Sequence, residues 1–357
     1  MSAQMAGERV RAIRHLLGIS QVDLAKAASV SQSLISQVES GIKEASEELI
    51  QAVASATSTP ISFFHVIPAD VPLGTLKFRK LASAKQGDTK RIKVLFDEAY
   101  RIVVDLLTES GYPRPDLPVA TDEPSLDDIE KLAQATRDAL QLADDGPIRH
   151  LTRACERAGI AVVPLTLPRL DDEEEGPIGH FGVSCWLSRD DPAVIGYLTG
   201  SSGDRQRFTI AHELGHLVLH SRRRIVRDPE AEANRFAASL LIPEHRAREM
   251  FESEVTLTDL KNMKARWGVS MQALIMRGAN LGLIDERRKT SLFKQLSARG
   301  WRKNEPVSVH HEEPLLMWKL LAHKYGLPLS YPQFGEKVGL GAVVLRSIAP
   351  RPERKVS

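Results

Sequence analysis

The sequence predicts a multidomain protein in which an all-α region is followed by an α+β region with a small sheet. Its 357 residues, of which 42% are hydrophobic and 26% are charged, are typical of a globular chain with two or three domains. Apolar residues recur every three or four positions across residues 8–64, which predicts several short helices. After residue 160, short β-branched runs replace this spacing and predict strands, before the helical spacing returns.

The composition argues against several classes of protein. The net charge is only +2, so the chain as a whole is not expected to bind a polyanion through charge alone. Cys155 and Cys185 cannot cross-link a secreted scaffold of this size, and we expect buried thiols in a reducing compartment. The N-terminus lacks the apolar segment of a signal peptide, and no apolar run is long enough to span a bilayer. We therefore expect a cytoplasmic protein without a membrane partner.

The first predicted domain, residues 8–67, contains two short helices joined by a tight turn. Ser20 is a good N-cap and predicts a helix over 21–27. Ser31 is a second N-cap and predicts a helix over 31–38.

The rest of the chain divides into three predicted segments. Residues 68–128 are predicted to form a basic helical connector that ends in a linker rich in proline and aspartate. Residues 129–290 combine strands and helices, and no role is assigned to the C-terminal helical region, 291–357. The strands are predicted over 160–165, 180–188 and 193–200, and the helices over 129–143, 148–158, 229–241, 257–267 and 270–281.

The stretch FTIAHELGHLVLH, residues 208–220, is mostly apolar yet contains three histidines and a glutamate. His212 and His216 lie four residues apart, on one face of a helix, where both imidazoles can bind one divalent cation. Glu213 is close enough to reach a water on that cation, so the HExxH pattern predicts two metal ligands and a general base. Zinc suits neutral imidazoles, and manganese is the alternative.

A third ligand is expected from another helix. His220 continues the four-residue spacing, but it lies about 12 Å along the helix axis from His212, too far for bonds of about 2 Å to one ion. The helix predicted over 229–241 carries Glu230 and Glu232 in its first turns, and a short connection folds it back against the histidines. Either carboxylate can complete a site of two imidazoles and one carboxylate, and we favour Glu232.

These segments resemble the ImmA/IrrE family of bacterial and phage metallopeptidases. The resemblance rests on RFTIAHELGHLVLH followed by EAEANRFAASLLIP, and it covers roughly residues 146–284. It implies an α+β zincin-like metallopeptidase domain in which His212, His216 and Glu232 bind zinc. It also implies that Glu213 is the catalytic base, and that the substrate is a partner transcriptional repressor cleaved in a stress or induction response.

The N-terminal segment LGISQVDLAKAASVSQSLISQVESG resembles the helix-turn-helix of the Cro/cI-like, XRE-type repressors. In such a module the second helix enters the major groove of DNA. The side chains expected to contact bases or phosphates are Gln21, Ser31, Gln32, Ser33 and Gln37. Such domains usually read palindromic operators as dimers, so the resemblance implies operator DNA as a partner and a homodimer.

Two classes of function remain open. In the first, a zinc peptidase cleaves a repressor, with Glu213 taking a proton from the attacking water and passing it to the leaving amine. In the second, a DNA-binding regulator uses a peptidase-like domain to sense a ligand or partner without cutting it. The intact HExxH motif favours hydrolysis, whereas the fused helix-turn-helix favours regulation. Tyr197 and Arg207 flank the site in sequence and are candidates for stabilising the oxyanion.

Overall fold

Short helices form the N-terminal domain in the computed structural model, which describes residues 3–69, 71, 86–167, 182–223 and 225–352. They are α1 (Ala3–Leu17), α2 (Gln21–Ala27), α3 (Gln32–Glu39), α4 (Glu47–Ala56) and a 3-10 helix (Ile61–His65). The backbone N–H of Asp23 donates to the Ser20 hydroxyl, and the Asp23 carboxylate accepts from the Ser20 N–H, so the predicted N-cap of α2 is confirmed. Ser31 likewise caps α3, which begins one residue later than predicted.

A long helix, α5 (Gln86–Ser110), follows, and residues 72–85 of the predicted connector lie outside the described residues. The predicted linker packs against the rest of the chain. Leu117 is buried, and the Ala120 N–H donates a 2.9 Å hydrogen bond to the Val218 carbonyl. Two further helices, α6 (Leu126–Ala139) and α7 (Leu151–Arg157), lie near their predicted positions with bounds shifted by a few residues.

Three strands form one mixed sheet, as predicted: β1 (Ile160–Leu165), β2 (Gly182–Cys185) and β3 (Ala193–Leu198). The strand order is β1-β3-β2, with β3 parallel to β1 and antiparallel to β2. In the register, Ile195 lies opposite Val162 on one side and opposite Ser184 on the other. Among the described residues, β2 is therefore an edge strand. Residues 180 and 181 of the second predicted strand lie outside the described part of the chain.

Nine helices, joined by turns and loops, follow in the described chain. They are α8 (Gly203–His220), α9 (Pro229–Leu241), α10 (Glu244–Met250), α11 (Leu257–Trp267), α12 (Met271–Asn280), α13 (Glu286–Ala298), α14 (Leu316–Tyr325), α15 (Tyr331–Val338) and α16 (Ala342–Ile348). The helices predicted over 229–241 and 257–267 are confirmed with the same bounds. Each of them begins directly after a residue that caps its N-terminus. Asp228 and Thr256 each accept a hydrogen bond from a backbone N–H of the first turn.

The sheet is buried on both faces and separates two hydrophobic cores. Side chains alternate along β1, so Ala161, Val163 and Leu165 belong to the first core and Ile160 and Val162 to the second. The first core joins α1–α4 to α5 and α14–α16, and the second joins α6–α13. The N-terminal helices and α8 therefore lie on opposite sides of one sheet, and packing crosses the predicted segment boundaries.

A buried ion-pair network joins the N-terminal helices to α5. Glu98, which is 2% exposed, pairs with Arg9 of α1 and, at 3.0 Å, with Arg101. Arg9 Nε also donates to the Phe63 carbonyl at 2.9 Å, and Arg101 donates to the Val338 carbonyl at 2.9 Å. One carboxylate thus links α1, α5 and the C-terminal helices.

A second buried carboxylate, Glu39, holds α1, α2 and α3 together. Its oxygens accept hydrogen bonds from Arg14 Nε at 2.6 Å, Arg14 Nη2 at 2.7 Å and Gln21 Nε2 at 2.9 Å. Burial by itself would raise the pKa of Glu39, but the hydrogen bonds from Arg14 and Gln21 outweigh it, so the pKa lies below its ordinary value of 4.5. The ionised form of Glu39 therefore stabilises the folded domain.

The Glu98 network predicts a loss of stability on substitution. Glu98→Gln should lower the free energy of unfolding by about 3–5 kcal/mol, because buried guanidinium groups lose their charge partner. Asp127→Asn is the control, since Asp127 and Lys131 form an ion pair with side chains 69% and 70% exposed that contributes less than about 1 kcal/mol. Urea unfolding of the full chain measures both variants, and equal losses would contradict the role given to Glu98.

The pKa of Glu39 predicts a pH dependence. Because the folded-state pKa is depressed, the stabilisation by Glu39 is fully present above its ordinary value of 4.5 and is lost as the pH falls through the lower, folded-state value. The difference in unfolding free energy between the unmodified chain and Glu39→Gln should therefore shrink as the pH is lowered from 6 towards 3. Urea unfolding at several pH values measures this difference, and a constant difference would rule out the assigned pKa direction.

Candidate metal centre and nucleic-acid interface

Helix α8 places two histidines one turn apart in the interior of the protein. His212 and His216 are each 3% exposed, and their Nε2 atoms lie 3.0 Å apart. The helix is buried along most of its length, with β2, β3 and α9 packed around it. Polar side chains in such a position need a protein partner or a ligand.

Glu230, in the first turn of α9, completes the group. Its carboxylate oxygens lie 3.4 Å from His212 Nε2 and 3.4 Å from His216 Nε2, and the three ligand atoms all lie within 4.8 Å of one another. Two nitrogens and one oxygen bound at about 2.0–2.2 Å to one tetrahedral zinc would lie about 3.3 Å apart. The donor set and its spacing therefore fit a divalent cation.

The structure brings Glu230, and not the expected Glu232, to the histidine pair. Successive helical residues are rotated by about 100°, so side chains two residues apart point to nearly opposite sides of α9. Glu232 points towards the end of α8, where its Oε2 lies 3.1 Å from His220 Nε2 and 2.5 Å from Arg223 Nη1. The rotation of α9 about its own axis decides which carboxylate reaches the site, and spacing along the sequence does not reveal that rotation.

Each histidine of the pair has a partner on its outer nitrogen. Asn234 lies one turn after Glu230 on α9, and its Oδ1 is 3.0 Å from His212 Nδ1. An amide oxygen can only accept, so His212 donates from Nδ1 and its Nε2 keeps a lone pair towards the group. His216 Nδ1 lies 2.8 Å from His220 Nδ1. The outer contacts therefore orient the rings.

Glu213, the predicted general base, is 1% exposed and faces the edge strand β2. Ser184 Oγ donates a 2.7 Å hydrogen bond to Glu213 Oε2. Gly182 permits the close approach, because a Cβ at that position would clash with Glu213 Oε1. Sequence reasoning missed Gly182 and Ser184. They reach the site only through the pairing of β2 with the sheet, and no motif marks them.

A cleft of about 250 Å³ opens beside these residues. His212, Glu213 and Asn234 form part of its wall, so one ligand of the candidate metal centre and the candidate base line the same cleft. Phe208 contributes an apolar surface and Gln272 a polar one. The cleft therefore has both apolar and polar walls, and it also contains the titratable side chains of His212 and Glu213.

The two residues considered for the oxyanion are held elsewhere and are not among the described residues that line the cleft. Arg207 pairs with Glu312 at 2.8 Å and donates to the Ile148 carbonyl at 2.6 Å. Tyr197 is 6% exposed, and burial raises the pKa of its hydroxyl. Both side chains therefore contribute to the packing around α8.

Helix α3 presents a polar surface to solvent. The exposed residues among those predicted to contact DNA are Ser31, Gln32, Ser33 and Gln37. The Ser31 hydroxyl accepts the Leu34 N–H at 3.2 Å and so caps the helix. Gln21 is half-buried, donates to Glu39 and accepts a 2.9 Å hydrogen bond from Gln32 Nε2. Gln21 therefore orients Gln32 on the surface.

Two family models match the chain. The model Peptidase_M78, described as the IrrE N-terminal-like domain, matches residues 155–277, and the model HTH_3, described as helix-turn-helix, matches residues 10–64. The first match contains the whole sheet with α8 and α9, and the second contains α2 and α3. No curated protein matches the chain. Within the described residues, no helix is long and apolar enough to cross a membrane.

The matches agree in position and in kind with the two resemblances drawn from the sequence. The segment that matches the peptidase model contains His212, Glu213, His216 and Glu230, and similarity to a metallopeptidase family implies a divalent metal. The chain therefore contains an XRE-type helix-turn-helix segment, residues 10–64, and a metallopeptidase-type segment, residues 155–277, that is similar to the IrrE N-terminal-like domain.

Proposed function

We propose that this protein is a DNA-binding regulator whose second domain hydrolyses a peptide bond in a partner transcriptional repressor in a stress or induction response. One observation carries the proposal: the ligand atoms of His212, His216 and Glu230 lie together, and His212 and the buried Glu213 line the same cleft. Two imidazoles, one carboxylate and an adjacent base are the components of a hydrolytic metal site.

In the proposed reaction, His212, His216 and Glu230 hold a zinc ion, with manganese as the alternative. When bound, the ion would supply the Lewis acidity that polarises the scissile carbonyl and acidifies the attacking water. Glu213 accepts a proton from that water and delivers it to the leaving amine. Ser184 holds the Glu213 carboxylate in place through its hydrogen bond to Oε2, so the base does not need to reorient during the transfer.

The substrate chain is proposed to bind along the edge of β2. In the order β1-β3-β2, one edge of β2 faces away from β3, and an extended peptide can add to such an edge through backbone hydrogen bonds. Gly182 belongs both to β2 and to the wall of the cleft. A peptide on this edge would therefore pass directly by Glu213.

The N-terminal domain is proposed to bind a palindromic operator as a homodimer. Gln32, Ser33 and Gln37 supply donors and acceptors on the exposed face of α3, and amide side chains pair well with the edge of adenine in the major groove. Ser31 and Gln21 support this face by capping α3 and by orienting Gln32.

A second candidate function is a regulator that uses the cleft as a sensor without cutting. The shared first core favours it, because α5 contacts α1 as well as β1 and β3, and β3 pairs with β2, whose Gly182 lines the cleft. Occupancy of the cleft can then bias the N-terminal domain through contiguous packing. A cleavage assay distinguishes the two candidate functions, because only the peptidase cuts its partner.

We predict that the metal centre and the base can be separated by substitution. Glu230→Gln should weaken zinc or manganese binding by more than about 100-fold, because it removes one of three ligands. Glu213→Gln should bind metal normally and reduce cleavage by about 10²–10⁴-fold, because only the proton transfer is lost. Metal analysis of the purified full chain and a cleavage assay on repressors encoded near its gene measure the two effects.

The matched control is Glu252→Gln, which neutralises an exposed carboxylate outside the cleft. It should leave both measurements unchanged. Stoichiometric metal with no cleavage by the unmodified chain, alongside operator binding that changes with metal, would select the sensor over the peptidase. Absence of any bound metal would exclude both the metal centre and the peptidase.

For the nucleic-acid interface, Gln32→Ala combined with Gln37→Ala should abolish a specific gel shift on an operator selected from random DNA. Each lost bidentate base contact costs about 1–3 kcal/mol. Gln51→Ala, an exposed amide on α4, is the control and should leave the shift intact. A specific shift that survives the double substitution would remove α3 from the interface.

A further inference from the structure

The last turn of α8 carries a chain of hydrogen bonds that ends on the proposed metal centre. His216 Nδ1 lies 2.8 Å from His220 Nδ1, and His220 Nε2 lies 3.1 Å from Glu232 Oε2. Arg223 holds both oxygens of Glu232, with Nη1 2.5 Å from Oε2 and Nη2 3.3 Å from Oε1. The side chains of His216, His220 and Arg223 are 2%, 1% and 3% exposed, whereas that of Glu232 is 14% exposed, so the two histidines of the chain are shielded from water.

The Glu232 carboxylate at the end of this chain determines which atom donates in each hydrogen bond. A carboxylate that is paired with a guanidinium can only accept hydrogen bonds, so His220 donates to Glu232 through Nε2. A neutral imidazole has one N–H, so His220 Nδ1 is then an acceptor and His216 donates to it through its own Nδ1. His216 Nε2 is left with a lone pair, and this atom faces His212 and Glu230.

We propose that Glu232 and His220 are positioning residues that fix His216 in the tautomer whose Nε2 can bind a metal. The inference rests on the proposed metal centre and names the residues that prepare one of its ligands. Neither side chain is part of the group formed by the three proposed ligands, and both act through His216. Asn234 prepares His212 independently, from α9, so the two histidines are set by separate contacts.

The opposite tautomer of His216 shows what the hydrogen-bond chain from Glu232 through His220 to His216, called the relay below, must prevent. With the proton on Nε2, His216 could donate to His212 Nε2, 3.0 Å away, and this hydrogen bond would occupy both ligand atoms. In the metal-free protein that bond would relieve the repulsion between the two facing lone pairs of His212 and His216. A strong acceptor on the Nδ1 side has to outweigh it, and the half-buried carboxylate of Glu232, which is paired with Arg223, supplies that acceptor through His220.

Nitrogen-15 NMR of the histidine-labelled full chain reads the tautomer directly in the metal-free protein. We expect His216 to carry its proton on Nδ1 in the unmodified chain and to shift towards the Nε2 form in His220→Phe, which keeps a ring but removes both nitrogens. Competition with a chromophoric chelator should show a loss of Zn²⁺ affinity of about 10–100-fold in His220→Phe. His220→Asn places an amide oxygen near the former Nδ1 position and should restore most of the affinity.

Glu230→Gln is the matched control, because it removes a proposed ligand and leaves the relay intact. It should lose Zn²⁺ binding and keep the Nδ1 tautomer of His216. If the metal centre itself is wrong, the unmodified chain will not bind Zn²⁺. Whether the relay is wrong is decided separately, by the tautomer of His216 in the metal-free protein. Circular dichroism verifies folding, and should His220→Phe not fold, the tautomer of the unmodified chain and His220→Asn still decide.

Two results would overturn the relay. One is a His216 that carries its proton on Nε2 in the unmodified chain. The other is a His220→Phe variant that folds and binds Zn²⁺ as tightly as the unmodified chain, while Glu230→Gln does not.

Discussion

The structure depends on a small sheet whose two faces are both buried. Because side chains alternate along a strand, β1 contributes Val163 to one core and Val162 to the other, and neither face is left for solvent. The N-terminal helices with α5 and the C-terminal helices cover one face, while α8 and α9 belong to the core on the other. Two sets of helices that are distant in sequence therefore pack on the same strands. The C-terminal helices α14–α16 belong to the set that covers the first face.

Burial also accounts for the chemistry of α8. Inside a protein every polar side chain needs a partner, and on this helix the three contacts come from two neighbouring elements, β2 and α9. Ser184 of β2 contacts Glu213, Asn234 of α9 contacts His212, and Glu232 of α9 contacts His220. Once these contacts are made, the histidine nitrogens that remain face Glu230, where a divalent cation fits. The same low-dielectric environment that penalises an unpaired group strengthens each of these hydrogen bonds.

The shared sheet also gives the nucleic-acid surface and the cleft a continuous physical connection. Glu98 ties α1 to α5, α5 packs on β1 and β3, and β2 next to them carries the contact between Ser184 and Glu213. A path of packed elements of this kind can carry coupling between operator binding and cleft occupancy. A regulator that joins a DNA-binding module to a peptidase-type domain gains such a path only if the two modules pack together, as they do here.

The sequence by itself determined the local features. The caps at Ser20 and Ser31, the strand over 160–165 and the pairing of His212 with His216 depend on residues that are neighbours in the chain, so spacing and residue type predict them. Only the tertiary structure decided which carboxylate meets the histidines. Glu230 and Glu232 are equivalent in spacing, and the choice depends on how α9 is rotated against α8. The same holds for Gly182 and Ser184, since strand pairing brings them to Glu213 from outside any motif. Contacts between distant segments are set by the packing of whole elements, and no local pattern encodes that geometry.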